Sequence, residues 1–116
     1  MPNISNLRGR LVFDSRGSKA LEFDVITDKK FLGRACAPSG ASVGKHEAQS
    51  FPQNSPERAL ATIQFNERRF VGLDASNIKE VFDTLRSIDN TEAYSVIGGA
   101  VAYAISVAAV DAASKL

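Results

Sequence analysis

The first third of the chain alternates apolar and polar residues with the two-residue period of a β-strand. The alternation is clearest in residues 20–27, where acidic residues separate a leucine, a phenylalanine and a valine, and such a pattern is typical of a strand with one buried face. Residues 4–14 and 31–37 are two further apolar segments, and only short turns separate the three. Because short connections favour antiparallel pairing of successive strands, this region predicts a three-stranded antiparallel meander.

From residue 55 onwards the apolar residues follow a helical spacing. Ser55 and Pro56 suit the start of a helix, because serine caps the first turn and proline fits the first helical position. This helix is expected to continue to about Val71 and to stop at Gly72, since glycine often terminates helices.

Two more helices complete the expected fold. An apolar stripe follows a cap at Ser76 or Asn77 and consists of Ile78, Val81, Phe82, Leu85 and Ile88. The last element begins near Gly98, and because Ala100–Val110 is apolar on all sides, we expect a buried helix. The predicted fold class is therefore α+β, a three-stranded antiparallel β-meander followed by a helical bundle that covers one face of the sheet.

The composition is that of an ordinary globular domain and excludes several functional classes. With 116 residues, the chain is expected to form one domain, residues 1–116. A net charge of +1 provides no strong field for nucleic acid or anionic lipid. The apolar segment near the end is too short for a membrane span, which needs about 20 residues. We therefore expect neither a nucleic-acid partner nor a membrane.

The amino terminus and the cysteine content indicate a reducing compartment. Cys36 is the only cysteine, which excludes a disulfide within the chain, and it lies in an apolar segment, so we expect a buried, unreactive thiol. The amino terminus has no basic segment followed by an apolar core, so no signal peptide is expected. The expected location is the cytoplasm.

The segment from Ala37 to Ala48 is the densest group of small and polar residues in the chain. Its core consists of Pro38, Ser39, Gly40, Ala41, Ser42 and Gly44. Glycine permits positive φ angles and close approach of the backbone to a ligand, so such a loop can close over a bound molecule and open again. A solvated turn between two elements has the same composition, so composition alone leaves both interpretations open.

Together with an upstream turn, this loop resembles the enolase family. The turn Asp14-Ser15-Arg16-Gly17 matches the Asp-Ser-Arg-Gly of the family. The loop matches the family's Ser-Gly-Ala-Ser-Thr-Gly followed by Glu-Ala at Ser39, Gly40, Ala41, Ser42, Gly44, Glu47 and Ala48. In the last helix, Ile97–Val101 and Ser106 are similar to a further family motif. The resemblance covers the amino-terminal capping domain of the family and nothing beyond it.

The resemblance implies a part in the dehydration of 2-phosphoglycerate to phosphoenolpyruvate, which enolases carry out with two magnesium ions. In the family, the acid, the base and the carboxylates that hold the tightly bound magnesium belong to a carboxy-terminal barrel. Such a barrel needs about 250 residues, so we assign no catalytic residue here and expect the chain alone to be inactive. Its expected contribution is a mobile loop for a barrel on the same parent protein or on a separate chain.

The resemblance also implies roles for individual residues. Ser39 would supply oxygen ligands to the second Mg²⁺ when the loop closes, and oxygen donors are the ligands that Mg²⁺ prefers. Gly40 and Gly44 would act as hinges. Arg10 and Glu22 match family positions that pair with the barrel of a partner subunit, so a homo-oligomer is expected. Ordinary exposed strand charges are the alternative for this pair.

Two other residues that attract attention are interpreted as structural. His46 is a lone histidine between Lys45 and Glu47, and such a histidine is more often structural than a proton carrier. Asp111 interrupts an apolar helix and is expected at a solvated or capped helix end.

The chain departs from the family pattern at four places, each of which removes polar chemistry near the loop or its supports. The departures are Ser18-Lys19-Ala20 for Asn-Pro-Thr, Val43 for a threonine, Gln49–Asn54 for a longer acidic and glycine-rich stretch, and Ala100 for an asparagine. Two interpretations therefore stay open. One is a lyase domain that works with a barrel, and the other is a divergent, non-catalytic binding module with the same fold.

Overall fold

A computed structural model describes residues 2–38, 55–91 and 96–115, and within these ranges three β-strands precede three α-helices. The strands are β1 (Ile4–Phe13), β2 (Lys19–Thr27) and β3 (Phe31–Pro38). The helices are α1 (Pro56–Phe65), α2 (Ile78–Ile88) and α3 (Gly99–Ala113), and a 3₁₀ turn at Glu67–Phe70 follows α1. The predicted α+β order of a meander followed by helices is confirmed.

The three strands form one antiparallel sheet in the order β1-β2-β3. Because side chains alternate between the two faces of a strand, the central strand β2 has an inner and an outer face. Its inner face carries Leu21, Phe23 and Val25, all buried in the core. Its outer face carries Glu22 and Asp24, so the alternation in the sequence corresponds to the two faces of the sheet.

Helix α1 starts where the sequence predicts and ends earlier. The Ser55 hydroxyl oxygen accepts a hydrogen bond from the Arg58 backbone N–H at 3.2 Å, and Pro56 occupies the first turn. The helix ends at Phe65 rather than near Val71. The Asn66 side-chain amide donates to the Thr62 carbonyl at 2.8 Å, and local bonds of this kind compete with the helical ladder.

Gly72 has the positive φ expected of a terminating glycine, at 92°, but it follows the 3₁₀ turn rather than an α-helix. Its backbone N–H donates to the Ile4 carbonyl at 2.8 Å, and the Ile4 N–H donates to the Leu73 carbonyl at 2.7 Å. The segment after α1 is therefore tied to the first residue of β1, which fixes α1 against the sheet.

Helix α3 packs across β2 and β3 with one side only, which corrects the expectation of a helix buried all round. Its inner side is fully buried and includes Val101, Ala104, Ile105 and Ala108. On its outer side, Tyr103 is 71% exposed. The sheet covers one side of α3, and among the described helices α2 flanks another, so part of its apolar surface faces solvent.

Cys36 is exposed, which corrects the prediction of a buried thiol. The strand register pairs Cys36 with Glu22 and thereby places it on the outer face of the sheet. None of the described helices covers that face. The apolar neighbours of Cys36 in the sequence, Ala35 and Ala37, belong to the inner face, so the apolar segment misled the prediction.

Only the first residue of the predicted loop core, Pro38, belongs to the described part of the chain. Pro38 is the last residue of β3. The other predicted loop residues lie outside the described residues; they are Ser39, Gly40, Ala41, Ser42 and Gly44. His46 also lies outside them, as do two of the departures from the family pattern, Val43 and Gln49–Asn54. In the described ranges, no helix combines the length and the apolar character needed to cross a membrane.

Candidate functional site

The outer face of the sheet carries a compact group of two guanidinium and two carboxylate side chains. We call it the sheet cluster; its members are Arg10 on β1, Glu22 and Asp24 on β2, and Arg34 on β3. The register places Arg10 opposite Glu22 and places Asp24 opposite Arg34. Side chains directly opposite each other on one face of a sheet are close enough to interact, so the register alone brings the four together.

Asp24 is the centre of the sheet cluster. Its Oδ1 accepts from Arg34 Nε at 2.7 Å, and its Oδ2 accepts from Arg10 Nη2 at 2.8 Å and from Arg34 Nη2 at 3.2 Å. Arg34 therefore binds the carboxylate through two nitrogens. Asp24 is only 6% exposed, and bonds between ionised partners are the strong ones in proteins. Asp24 holds both arginines in place.

Glu22 is held less completely than Asp24. Its Oε1 accepts from Arg10 Nε at 2.9 Å, and the nearest Arg34 nitrogen lies 3.6 Å from the same oxygen. Its side chain is 26% exposed, and the side chains of Arg10 and Arg34 are 38% and 52% exposed. The three outer members of the sheet cluster therefore keep a solvent-facing side that a partner can contact.

The ion pairs in the sheet cluster shift the pKa values of Asp24, Arg10 and Arg34. The hydrogen bond from Arg34 is the largest influence on the Asp24 carboxyl and lowers its pKa; burial opposes this shift, and Arg10 adds to it. The hydrogen bond to Asp24, followed by that to Glu22, raises the pKa of the Arg10 guanidinium. The pKa of the Arg34 guanidinium is also raised, chiefly by its hydrogen bond to Asp24, so the charged forms of Arg10, Asp24 and Arg34 are all favoured.

The structure brings Arg10 and Glu22 together, as members of a larger group than the sequence analysis named. Asp24 and Arg34 were missed. The period-2 alternation that puts Glu22 on one face also puts Asp24 there, so Asp24 was readable from the sequence. Arg34 required the register of β3 against β2, which the sequence does not reveal. The predicted contact of Arg10 and Glu22 with a partner subunit stays a prediction.

A second feature lies at the end of the sheet, at the turn between β1 and β2. Asp14 Oδ1 accepts from the backbone N–H groups of Arg16 and Ser18, each at 2.9 Å. Gly17 has a φ of 80°, which glycine adopts without strain. These bonds explain the Asp and Gly of the motif, because aspartate closes the turn and glycine accepts its left-handed conformation. The turn leaves Arg16 exposed.

The described residues on either side of residues 39–54 lie at this same end of the sheet. Ala20, near the start of β2, pairs with Pro38 at the end of β3. The adjacent Lys19 Nζ bonds Glu57 Oε2 at 2.6 Å, and Glu57 belongs to the first turn of α1. This hydrogen bond lowers the pKa of the Glu57 carboxyl. Pro38 and the first turn of α1, which flank residues 39–54 in the sequence, therefore lie at the same end of the sheet as the turn that carries Arg16.

Cys36 lies between the sheet cluster and this end of the sheet. Burial raises the pKa of its thiol, and the negative charges of Glu22 and Asp14 raise it further. Because the thiolate is the reactive form of cysteine, a raised pKa disfavours nucleophilic chemistry. Cys36 is exposed, but the raised pKa favours the protonated thiol. This direction agrees with the expectation of an unreactive thiol.

The described residues do not by themselves form a metal site. Within the described ranges, no three His, Cys, Asp or Glu side chains lie close enough together to hold a metal ion. Glu22 and Asp24 share the outer face of β2, but guanidinium groups already bind both oxygens of Asp24 and one oxygen of Glu22. Ser39, the predicted magnesium ligand, lies outside the described residues.

The fold and the two features define a two-layer α+β domain with a charged outer sheet face and a tight Asp-Ser-Arg-Gly turn at one end of the sheet. The chain belongs to the enolase family, because the family model "Enolase, N-terminal domain" matches residues 4–116.

Curated relatives agree with this assignment. The chain is 39% identical to the enolase of Methanosphaera stadtmanae over 113 residues, which cover 97% of this chain and 27% of that protein. It is 40% identical to the enolase of Halorubrum lacusprofundi over 116 residues, which cover all of this chain and 28% of that protein. The chain thus spans less than a third of the length of the curated relatives it matches.

Proposed function

We propose that this chain is the capping domain of an enolase and supplies residues 39–44 to the active site of a barrel domain. The reaction is the dehydration of 2-phosphoglycerate to phosphoenolpyruvate, a lyase step of glycolysis, and the expected location is the cytoplasm. The observation that carries the proposal is the match of the enolase amino-terminal domain over residues 4–116. Pro38 and the first turn of α1, which flank residues 39–54 in the sequence, lie at the end of the sheet that carries the Asp14 turn, and this supports the proposal.

The role of the loop follows from what a closing segment does in an active site. A loop that shuts over a substrate excludes water and strengthens the charge interactions inside. The sheet, the Asp14 turn and the Lys19–Glu57 pair form a frame that holds the described residues on either side of residues 39–54. In the proposal, Gly40 and Gly44 permit the movement while the frame stays in place.

Ser39 is the proposed link between this domain and the metal. Magnesium, when bound, stabilises the negative charge that develops on the carboxylate of the substrate. Ser39 would provide hydroxyl and carbonyl oxygens to it in the closed loop, and the barrel would provide the remaining ligands. Because the described ranges hold no group of three side chains that could bind the ion, the proposal assigns this domain's contribution to Ser39, and Ser39→Ala should lower turnover.

The sheet cluster is the proposed contact with a partner subunit. Arg10 and Glu22 keep solvent-facing sides, and Asp24 fixes the direction of Arg10. A fixed charge loses less conformational freedom on binding than a mobile one, so this face suits recognition of a charged partner surface. The proposed partner is an enolase-type barrel in a homo-oligomer.

A fusion protein tests the proposed function. The 116 residues would replace the matched region of the Methanosphaera stadtmanae enolase, and phosphoenolpyruvate formation would be measured with magnesium. We expect activity in the fusion, none in the isolated chain, and a loss of at least about 100-fold in the Ser39→Ala fusion, the size of losing one positioned group in an active site. Ser87→Ala, on the exposed surface of α2, is the control and should keep the activity of the fusion. A folded fusion without activity would contradict the proposal.

A further inference from the structure

Phe65 is the most exposed large apolar side chain among the described residues, at 90%. It is the last residue of α1, and the side of that helix that packs on the core carries Pro56, Ala59 and Ile63. A single exposed apolar residue is normal on a protein surface. The side chains beside Phe65 therefore decide whether this position has a function.

Two exposed arginines follow Phe65 on the 3₁₀ turn Glu67–Phe70. They are Arg68 and Arg69, and within residues 2–38, 55–91 and 96–115 no ion pair includes either of them. Arg69 Nη1 donates to the uncharged Ser87 hydroxyl at 3.4 Å. Glu67 is the one acidic residue of the turn. The turn therefore presents an excess of positive charge next to an exposed aromatic ring.

The turn that carries the two arginines is anchored to the rest of the domain. Phe70 is fully buried in the core. The Gly72 N–H donates to the Ile4 carbonyl at 2.8 Å, and the Ile4 N–H donates to the Leu73 carbonyl at 2.7 Å. An anchored surface loses less conformational freedom on binding than a mobile one. We call the group formed by Phe65, Arg68 and Arg69 the α1 corner.

The α1 corner is separate from both features described above. The turn is tied to Ile4, the first residue of β1, whereas Asp14 directly follows the last residue of that strand. The corner therefore lies at the end of the sheet opposite the Asp14 turn. Helix α1 belongs to the helical layer on the inner face of the sheet, and the sheet cluster occupies the outer face. A partner at the α1 corner leaves both features accessible.

The chemistry of the α1 corner favours an acidic protein segment as its partner. Guanidinium groups bind carboxylates through paired hydrogen bonds, and arginine and aromatic residues are frequent at the centres of protein interfaces. Attachment to an anionic membrane takes clusters of about four to eight basic residues. A nucleic-acid strand takes a basic groove that follows its backbone. Two arginines at a corner provide neither of these.

We infer that the α1 corner is a docking surface for an acidic segment of another protein. Carboxylates of that segment pair with Arg68 and Arg69, and an apolar side chain of the segment packs on Phe65. The inference is independent of the proposed enolase function, because it uses no residue of the loop or of the sheet cluster.

An NMR titration maps the binding surface without a mutation. The ¹⁵N-labelled chain would be titrated with a short peptide in which glutamates flank a leucine-phenylalanine pair. We expect saturable shifts of the backbone N–H signals of residues 65–69 and of Ser87, and weaker binding as salt is added, because salt screens exposed charges. The same peptide with glutamines in place of the glutamates should not bind. Absence of saturable shifts at millimolar peptide, or shifts confined to the sheet cluster, would overturn the inference.

Matched variants test the side chains of the corner. The double variant Arg68→Gln/Arg69→Gln should raise the dissociation constant of the peptide at least about fivefold, as expected for residues at the centre of an interface. Lys29→Gln/Lys30→Gln removes the same charge from the turn after β2 and should bind like the wild type. Urea unfolding checks that all variants are folded. An equal loss of binding in both double variants would show a general charge effect and contradict the inference.

The aromatic part of the α1 corner has its own comparison. Phe65→Ala should weaken binding of the peptide at least about fivefold, whereas Phe13→Ala, which removes a 65% exposed ring at the other end of the sheet, should not. Phosphatidylserine vesicles and an oligothymidine strand are the other two probes. If either binds more tightly than the peptide and loses its binding in Phe65→Ala, the partner is a membrane or a nucleic acid and the inference is wrong.

Discussion

Gly33 shows how closely a helix can approach a strand when one residue has no side chain. A Cβ atom at this position would lie 2.0 Å from the Ala108 carbonyl oxygen and 2.4 Å from the Ala112 nitrogen. Both atoms belong to the backbone of α3, so no side-chain rotation relieves the overlap. The alanines of α3 allow the same approach from the other side. The contact of α3 with β3 is therefore set by small residues on both elements.

Replacing Gly33 by alanine should destabilise the domain by about 3 kcal/mol, the upper part of the usual range for overpacking a core. The reason is that α3 as a whole has to move away from β3. Gly9→Ala is the matched comparison, since its Cβ would meet side-chain atoms of Phe23 and Leu60, at 2.7 Å and 2.8 Å, that have some freedom to shift. Urea unfolding of the three proteins measures the difference. A smaller loss for Gly33→Ala than for Gly9→Ala would contradict this account of the packing.

At the scale of the elements, Asp89 joins the end of α2 to the start of α3. Its side chain is 1% exposed and accepts hydrogen bonds from the backbone N–H groups of Thr91, Val96 and Ile97 and from the Thr91 hydroxyl. Burial alone would raise the pKa of this carboxyl, but the bond from the Thr91 hydroxyl and the three backbone bonds together lower it. The connection is thus held by a carboxylate that needs to be ionised.

Asp89→Asn should lower the free energy of unfolding at pH 7 by about 2 kcal/mol, the size of losing a charged acceptor inside a protein. The amide group that replaces one oxygen would also point a donor at backbone donors. Asp83→Asn, on the same helix, is the control, because Asp83 is 63% exposed and its pair with Lys79 is a surface pair of small value. Thermal unfolding of both variants measures the difference, and equal stability would show that the carboxylate is not needed.

The same variant should change the dependence of stability on pH. A carboxyl group with a lowered pKa in the folded state stabilises the fold above its ordinary pKa, and this contribution is lost as the pH falls through the folded value. Wild-type stability should therefore be level above about pH 5 and decrease as the pH falls below the ordinary value of 3.8. Asp89→Asn should show a shallower decrease, with Asp24 responsible for part of the remainder.

At the scale of the whole molecule, the domain presents two faces of opposite character. The outer face of the sheet carries paired charges around Asp24, and a groove between α2 and α3 carries exposed apolar side chains around Tyr103. Charged faces act mainly on the rate and salt dependence of association, whereas the apolar core of an interface contributes most of the affinity. We therefore expect mutations on the two faces to have different effects.

Glu22→Gln or Arg10→Gln should slow the association of two fusion subunits severalfold at low salt and weaken its salt dependence, because exposed charges mainly steer encounter. Asp24 would keep its two bonds to Arg34 in either variant, so the sheet should stay folded. Lys29→Gln, in the exposed turn after β2, removes one charge elsewhere and is the control. Stopped-flow light scattering across a salt series gives the rates. Association rates equal to those of the Lys29→Gln control would show that the sheet cluster does not belong to the subunit interface.

The sequence by itself determined the local structure of this chain. Alternation of residues along β2 set its two faces, Ser55 and Pro56 set the start of α1, and aspartate and glycine closed the turn after β1. Each of these depends on neighbours within a few residues, so the pattern contains the needed information. The paired motifs at Asp14 and Ser39 also indicated the family, which the match over residues 4–116 confirms.

Tertiary structure alone decided what depends on contacts between distant elements. Cys36 was expected to be buried because its neighbours are apolar, yet the register of β3 turns it to the outer face. Arg34 joins the sheet cluster for the same reason. Tyr103 belongs to an apolar helix but stays exposed, because the sheet and α2 cover only part of the surface of α3. Register and coverage are set by the packing of whole elements, and no local pattern encodes which apolar side of a helix stays uncovered.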